Sequence, residues 1–469
     1  MKIYDSRLQK KIDFKPIKEG EIKMYVCGPT VYDRAHLGHG RSSVSFDVIR
    51  RYFEYKGFKV TYVSNYTDIE DKMINRAKEE GITVKELADK VIPIYERDYG
   101  LLGIKKPDFQ PKATQYIDEM IEIIKELEEK GFIYVIDGDG VYYDVSKYKD
   151  YGELSGQKLD DLKIGARIDV NDQKRNPYDF VLWKFKKEGE PSWKSPWGEG
   201  RPGWHIECSA MVWKLLGEKF DIHGGGLDLK FPHHECEIAQ SCGAFGKGTF
   251  AQHWMHNGFI QINNEKMSKS LGNFFTLEDI FKKYDPQVVR FMFLQTHYRN
   301  PINFSDQLLE QAKSGLRRVH DFVGELNRRK NHAKDNHIND NQIDTELISI
   351  LNEAKELFES SMDDDFNTSG ALSSVFMLLD KVISIIHKTL SVEEFDKILD
   401  YLGKMDSILG VIFPREEQKI GGDVEDLIKQ REEARKNKDF KKSDEIRADL
   451  LKKGIVLEDT PNGTIWKKA

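Results

Sequence analysis

Cysteine is scarce in this chain. Four cysteines, at 27, 208, 236 and 242, are spread over 469 residues, which excludes a disulfide framework and leaves free thiols or soft-metal ligands. Long apolar runs are missing too. The first twenty residues lack the apolar core of a signal peptide, and no run is long enough to span a bilayer, so a cytoplasmic protein without a membrane partner is expected. Positive charge is not in excess. A formal net charge of -7 excludes a strongly basic nucleic-acid coat, though not a local basic face. Internal repeats and low-complexity tracts are absent. What remains is an ordinary globular composition and a length that predicts roughly three domains.

The chemistry gathers first between Met24 and Arg41. Ile22 to Val26 is an apolar run that reads as a buried strand, stopped by Gly28-Pro29. Ser42 to Lys56 places Val44, Val48, Ile49, Tyr52 and Phe53 at helical spacing and ends at Gly57. Cys27 therefore sits where a strand ends, and His36 and His39 at or just before a helix start. That is where an open α/β sheet binds its ligand, and where free N–H groups and the helix dipole suit a phosphate. Gly38 and Gly40 lack a Cβ and leave room for a flat ligand. The pair of histidines is equally compatible with half of a metal site or with satisfied polar groups. Far downstream, Lys266-Met267-Ser268-Lys269-Ser270 taken alone reads as a solvated loop.

Along the chain, Phe58 to Val63 alternates like a strand and completes a βαβ unit with a right-handed crossover. Ile69 to Glu80 and the segment opened by the capping box Thr83 to Glu86 read as helices, as does Ala113 to Lys130. Ile133 to Val135 and Val141 to Tyr143 read as a hairpin, and Glu188 to Trp204 as loop. Ile206 to Leu216 is helical, Phe220 to His223 is a short strand, and Pro232 fits the first turn of a helix running to Gln240. Phe259 to Ile262 is a strand. From Ser305 to Leu409 the pattern is a helical bundle. A polar linker, Lys419 to Asp423, leads to two charged helices and a hairpin turning at Pro461-Asn462-Gly463.

Cys27, Cys208, His233 and Glu237 form a donor set of two thiolates, one imidazole and one carboxylate that suits a tetrahedral Zn²⁺. His233 and Glu237, at i and i+4, share a helix face. His234 and Cys236 compete for the same positions. There is no Cys-x-x-Cys knuckle, and a buried thiol also behaves as a small hydrophobe.

Taken in order, His36-Leu37-Gly38-His39 and Lys266-Met267-Ser268-Lys269-Ser270 resemble the HIGH and KMSKS signatures of class I aminoacyl-tRNA synthetases. Met24 to Arg41, Gly203 to Ser209 and Phe220 to Gln240 look like the cysteinyl-tRNA synthetases. Asp285-Pro286, Val288-Val289-Arg290, His297-Tyr298-Arg299 and Gly454 to Trp466 extend that resemblance over essentially the whole chain.

The resemblance implies an α/β fold. It has a Rossmann-like parallel-sheet catalytic domain (1–111 and 200–250), an inserted domain (112–199) and a stem-contact region carrying the lysine motif (251–304). A helical, tRNA-binding bundle (305–410) and a small α+β anticodon-binding domain (411–469) follow. The implied activity is ATP-dependent ligation of L-cysteine to tRNA(Cys) through a cysteinyl-adenylate, with Mg²⁺ accompanying ATP. One Zn²⁺ per subunit, on Cys27, Cys208, His233 and Glu237, would select the thiol, and Thr67 and Trp204 would line the cysteine pocket. His36 and His39 would donate to the phosphates, and Lys266 and Lys269 would clamp the pyrophosphate. Gly224, Gly225 and Asp228 would meet the adenosine, although turn chemistry alone also accounts for those three.

A monomer is expected. Basic residues of the tail, among them Arg431, Arg435, Lys438 and Arg447, and an aromatic, Trp466, would meet tRNA. Their interleaving with acidic residues equally describes a solvated helical face. Cys236 departs from the family pattern. Two other readings remain: a cysteine ligase of the mycothiol type, which lacks such a tail, and a non-catalytic zinc/RNA-binding paralogue, against which His36, His39, Lys266 and Lys269 speak.

Overall fold

The computed structural model describes residues 1–156, 173–262, 265–267, 274–336, 338, 343–386, 390–415, 422–436, 439–452, 455–460 and 463–468. Its organising layer is a four-stranded sheet in the order Phe250–Asn257, Lys219–Gly226, Glu21–Val26, Lys59–Ser64, with every pair parallel. Met24, Tyr25 and Val26 are buried because the strand that carries them is central and covered on both faces. The helix that follows runs Leu37–Tyr55 and starts five residues earlier than its apolar periodicity shows. Its first turn is held by capping, which leaves no apolar signal. The expected face, Val44, Val48, Ile49, Tyr52 and Phe53, is buried, and so are Arg41, Asp47 and Arg50.

The strand Phe250–Asn257 leaves no simple pattern in the sequence. It is an edge strand, with Gln252, His253 and His256 breaking its apolar run. The N-terminal hairpin, Lys2–Asp5 with Lys10–Asp13, covers it: Ser6 N–H donates to the Trp254 carbonyl at 2.8 Å, and Trp254 N–H to Asp5 Oδ2 at 3.2 Å.

In the chain between the strands Lys59–Ser64 and Lys219–Gly226 stands a separate antiparallel sheet of Ile133–Ile136, Gly140–Tyr143, Phe180–Phe185 and Gly200–Pro202. The last of these lies in the stretch read as loop. It is a three-residue edge strand containing a proline, which an edge tolerates and a pattern search discards. Trp204 then opens the helix Trp204–Leu216. Pro232 lies in a wound turn, Lys230–His234, and the regular helix runs Glu235–Phe245. Phe231, the residue before the proline, is extended (φ -142°, ψ 134°), as that position prefers, so the helix cannot continue back through it.

A three-stranded sheet of Ile260–Ile262, Glu265–Lys266 and Ile302–Phe304 comes next, then the helices Asp306–Asp335, Thr345–Asp363, Thr368–Ile385 and Val392–Leu409. Thr368–Ile385 is, by length and composition, apolar enough to cross a bilayer, contrary to the sequence expectation. Its Leu372, Val375, Leu379 and Val382 are buried in the bundle, so here it is a core helix.

The chain divides into two compact units, Met1–Phe413 and Pro414–Ala469. The second contains the helices Gly422–Lys436 and Phe440–Lys452 and a hairpin, Ile455–Thr460 with Gly463–Lys468. Ile446, Leu450 and Leu457, with Leu427 and Ile428 against them, form its core. Lys438, Lys453 and the side chain of Trp466 lie outside the described residues.

Candidate active site

A cleft of about 290 Å³ opens at the carboxyl ends of the sheet strands. Cys27, Thr67, Trp204, Cys208 and His233 line one end, and His36, Gly38, His39, Asp228 and Met267 also border it.

At the first end Cys27 caps the central strand, its N–H donating to the Gly224 carbonyl at 3.1 Å. Cys208 comes from the second turn of the Trp204 helix. Their Sγ atoms are 3.7 Å apart, and Cys27 Sγ is 3.6 Å from Glu237 Oε1. His233 Nε2 closes the group at 3.5 Å from Cys208 Sγ and 3.1 Å from Glu237 Oε1. All four donor atoms lie within 4.8 Å of one another, a spacing that fits one thiophilic cation.

Two of the four side chains are held from behind. Glu237 Oε2 accepts from His223 Nε2 at 2.8 Å, and His233 Nδ1 meets His205 Nδ1 at 3.0 Å. Burial alone would raise the Glu237 carboxyl, but His223 and His233 hold it down at about 2. Burial opposes charge on His233, yet Glu237 and Cys208 push it up to about 10. The hydrogen bond from Cys27, helped by His233, lowers Cys208 to about 6, and burial raises the Cys27 thiol. Burial also pushes His205 well below the ordinary histidine range, so it accepts the His233 proton as a neutral ring.

A second quartet, Cys27, His223, His234 and Glu237, shares two members with the first. His223 and His234 do not line the cleft, and His234 Nδ1 is already 2.8 Å from His256 Nε2. Of the first quartet, Cys27, Cys208 and His233 do line the cleft, so that quartet is the one a ligand there would meet. Cys236 turns away to the Tyr151 hydroxyl at 3.5 Å, and Cys242 meets the Thr249 carbonyl at 3.7 Å.

Elsewhere along the cleft, His36 is the N-cap of its helix. Its Nδ1 accepts from the N–H groups of Gly38 at 3.0 Å and His39 at 3.3 Å. His39 Nδ1 accepts from the His36 N–H at 3.3 Å and lies 3.3 Å from the Tyr95 hydroxyl, which burial keeps protonated. With Nδ1 an acceptor in both rings, the hydrogen bonds assign the proton of each neutral imidazole to Nε2. The two rings stack at 3.6 Å. The reason for the glycines differs from the one the sequence offers. A Cβ at Gly38 would press on the His36 ring at 2.9 Å, and one at Gly40 on Leu277 and Leu102 at 3.0 and 3.2 Å. They make room for the cap and for helix packing.

Of the residues proposed for adenosine, Asp228 lines the cleft and Gly224 and Gly225 do not. They lie in the Lys219–Gly226 strand against Phe46 and His234 respectively, and it is Gly226 that borders the cleft. The Lys266 backbone pairs with Gln261 in the small sheet. Its side chain, and residues 268–273 with Lys269, lie outside the described residues. Sequence reasoning passed over Ser42, Ser43, Lys72 and Asn257 to Ile260, which also line the cleft. Asn257-Gly258, a turn dipeptide at a strand end, is the one signal that marked any of them.

Comparison with known proteins bears on this geometry. Residues 13–314 match the class I (C) tRNA synthetase catalytic domain, residues 357–413 the DALR domain, and residues 417–466 the cysteinyl-tRNA ligase anticodon binding domain. A cysteine–tRNA ligase of Clostridioides difficile (strain 630) is 51% identical over 468 residues, covering 100% of both chains. Two solved structures share the fold at low identity. A Mycobacterium tuberculosis methionyl-tRNA synthetase with methionyl-adenylate has TM-score 0.61 and 15% identity, over 83% of this chain and 90% of that one. A LeuRS–tRNA–LeuAMS complex of Agrobacterium radiobacter K84 has TM-score 0.63 and 12% identity, over 85% of each chain.

Proposed function

The chain belongs to the cysteinyl-tRNA ligases, class I aminoacyl-tRNA synthetases, and from that premise we propose how its residues divide the work of joining cysteine to tRNA. Its partners are ATP, cysteine and tRNA. In the first step the cysteine carboxylate attacks the α-phosphate of ATP and pyrophosphate leaves. In the second, the terminal tRNA hydroxyl attacks the adenylate carbonyl and AMP leaves.

The observation that carries the assignment is that Cys27, Cys208 and His233 line the same cleft as His36 and His39. Cys27, Cys208, His233 and Glu237 would hold Zn²⁺. Bound there, zinc supplies a thiophilic position that a thiol fills and a serine hydroxyl fills poorly, a distinction an apolar pocket makes badly. His223 and His205 orient Glu237 and His233. Thr67 and Trp204 border the amino acid, the Trp204 ring lying 4.3 Å from that of His233.

His36 and His39 present Nε2–H donors to the phosphates as charge develops on the transferring oxygens. Lys266 and Lys269 take the pyrophosphate, whose charge Mg²⁺ shares. Asp228, with Gly224 and Gly225 behind it, belongs to the adenosine side. The division at 112–199, 251–304, 305–410 and 411–469 into inserted, stem-contact, bundle and anticodon-binding regions follows the same reading. So do a cytoplasmic location and action as a monomer.

Cysteine-dependent ATP–pyrophosphate exchange followed by transfer to tRNA tests the assignment. Zinc-loaded protein is expected to exchange with cysteine and not with serine. Metal-free protein that still prefers cysteine would overturn the role given to the four ligands.

A further inference from the structure

Arg41 belongs to the histidine helix and takes no part in the chemistry above, yet it is among the largest fully buried side chains of the protein. Among the described residues no carboxylate pairs with it. Its guanidinium instead meets five main-chain carbonyls. Nη1 donates to Gly258 at 3.0 Å and Phe259 at 2.7 Å. Nη2 donates to His297 at 3.4 Å, to Tyr298 at 3.2 Å, and to Asn300.

Those carbonyls come from two segments that are themselves laced together. Gly258 N–H donates to the Tyr298 carbonyl at 2.9 Å and Ile302 N–H to the Phe259 carbonyl at 3.0 Å, and Ile260 pairs with Ile302. The segments approach so closely that a Cβ on Gly258 would lie 2.6 Å from the Arg299 carbonyl oxygen and 2.7 Å from that of Asn300. Asn257, Gly258, Phe259 and Ile260 form a wall of the cleft, and His39 borders that cleft two residues before Arg41 on the same helix. One buried fork therefore fixes the distance between the histidines and the wall.

We propose that Arg41 is a positioning residue for the nucleotide: it locks the Asn257–Ile260 wall to the His36/His39 helix, so that adenosine and phosphates are held in one geometry. This rests on the reading that this end of the cleft takes ATP. A planar fork with five donors suits the task. An ammonium has three donors and no fixed plane, and an apolar side chain leaves the carbonyls unpaired. The metal quartet does not depend on Arg41, because its donors belong to the strand ends at 27 and the helices around 208 and 233–237.

The test is pyrophosphate exchange by the zinc-loaded full chain carrying Arg41→Met, Arg41→Lys or Gly258→Ala, with zinc content and the KM for each substrate measured separately. Arg41→Met is expected to lower kcat/KM for ATP about 100-fold, as a misplacement of order 1 Å does, with the KM for cysteine and the zinc content within about twofold of wild type. Arg41→Lys should recover part of that loss, and Gly258→Ala, which pushes the same two segments apart, should show the same split between substrates. If Arg41→Met does not fold, the other two variants carry the test. Unchanged kcat/KM for ATP, or equal losses for ATP and cysteine in all folded variants, would overturn the proposal. His39→Asn separates this from the reading beneath it. If that variant exchanges normally, the phosphate assignment itself fails; if it is impaired while the Arg41 variants are not, only the role of Arg41 does.

Discussion

At one end of the cleft, two of the groups that would meet a metal are side chains held by a second side chain: Glu237 by His223, His233 by His205. At the other end, the groups that would meet phosphate are two imidazoles whose orientation is set mainly by main-chain N–H groups of a helix start. The first arrangement is buried before any ligand arrives, with His233 2% and Glu237 0% exposed. The second depends on capping geometry and on a wall contributed by another segment. Recognition of a single sulfur atom needs fixed donors. Stabilising charge that appears only during reaction needs aligned dipoles that add nothing to the resting state.

The contrast can be broken hardest at the sulfur end. His233→Ala or Cys208→Ser is expected to abolish zinc binding and cysteine activation together. A cobalt-substituted wild-type protein should show a thiolate charge-transfer band that changes when cysteine is added, and a spectrum indifferent to cysteine would remove the metal from recognition.

The next largest effect concerns protons. Without metal at pH 7, Cys208 (about 6) is a thiolate and Glu237 (about 2) a carboxylate, while Cys27, raised by burial, and His233 (about 10) keep their protons. Zinc must therefore expel about two protons, and its affinity should fall roughly 100-fold for each pH unit lowered near neutrality, more steeply below 6 as Cys208 also protonates. Calorimetry in buffers of different ionisation enthalpy counts those protons. A count near zero would mean that the metal-free site is not charged this way.

Lys269→Ala probes the phosphate end. Exchange should fall about 100-fold in kcat with tRNA affinity within about twofold if, as proposed, the lysine pairs with charge that grows toward the transition state. Equal exchange by mutant and wild type would sink the role. Tyr95→Phe should cost less, about tenfold in exchange with zinc content intact, since the His36 N–H still reaches His39 Nδ1. The smallest effect is expected from removing residues 414–469: exchange within about twofold at both ends of the cleft, but weaker charging at subsaturating tRNA. Full charging by the truncated chain would contradict the anticodon-binding role of that unit.

How well each end could be read from the sequence follows from the same difference. Thiols and imidazoles are chemically specific, so Cys27, Cys208 and His233 can be grouped from the sequence even across a long separation, but His234 and Cys236 compete there, and only the fold turns Cys236 away, its thiol facing Tyr151. The parallel strands at 21–26 and 59–64 and the bundle helices announce themselves by periodicity. The helix start at Leu37 does not, because a cap is a hydrogen-bond pattern. Tyr95, His223 and His205 act through contacts that topology creates, and no local pattern marks them. The strand at 250–257 is hidden because its polar residues are covered by the first residues of the chain.

Cys27 meets Cys208 and Glu237 across 181 and 210 residues. On a ribosome adding about 5–20 residues each second, its thiol waits roughly 10–40 s before Glu237 has even been made. The strand it caps waits as well. Its neighbour at 59–64 is available early, whereas its neighbour at 219–226 comes near the end of that interval. For that time the nascent chain carries an open sheet edge and an unengaged cysteine side by side. The order of birth would therefore make a metal held there a late fastener, one that closes over a half-built sheet instead of nucleating it.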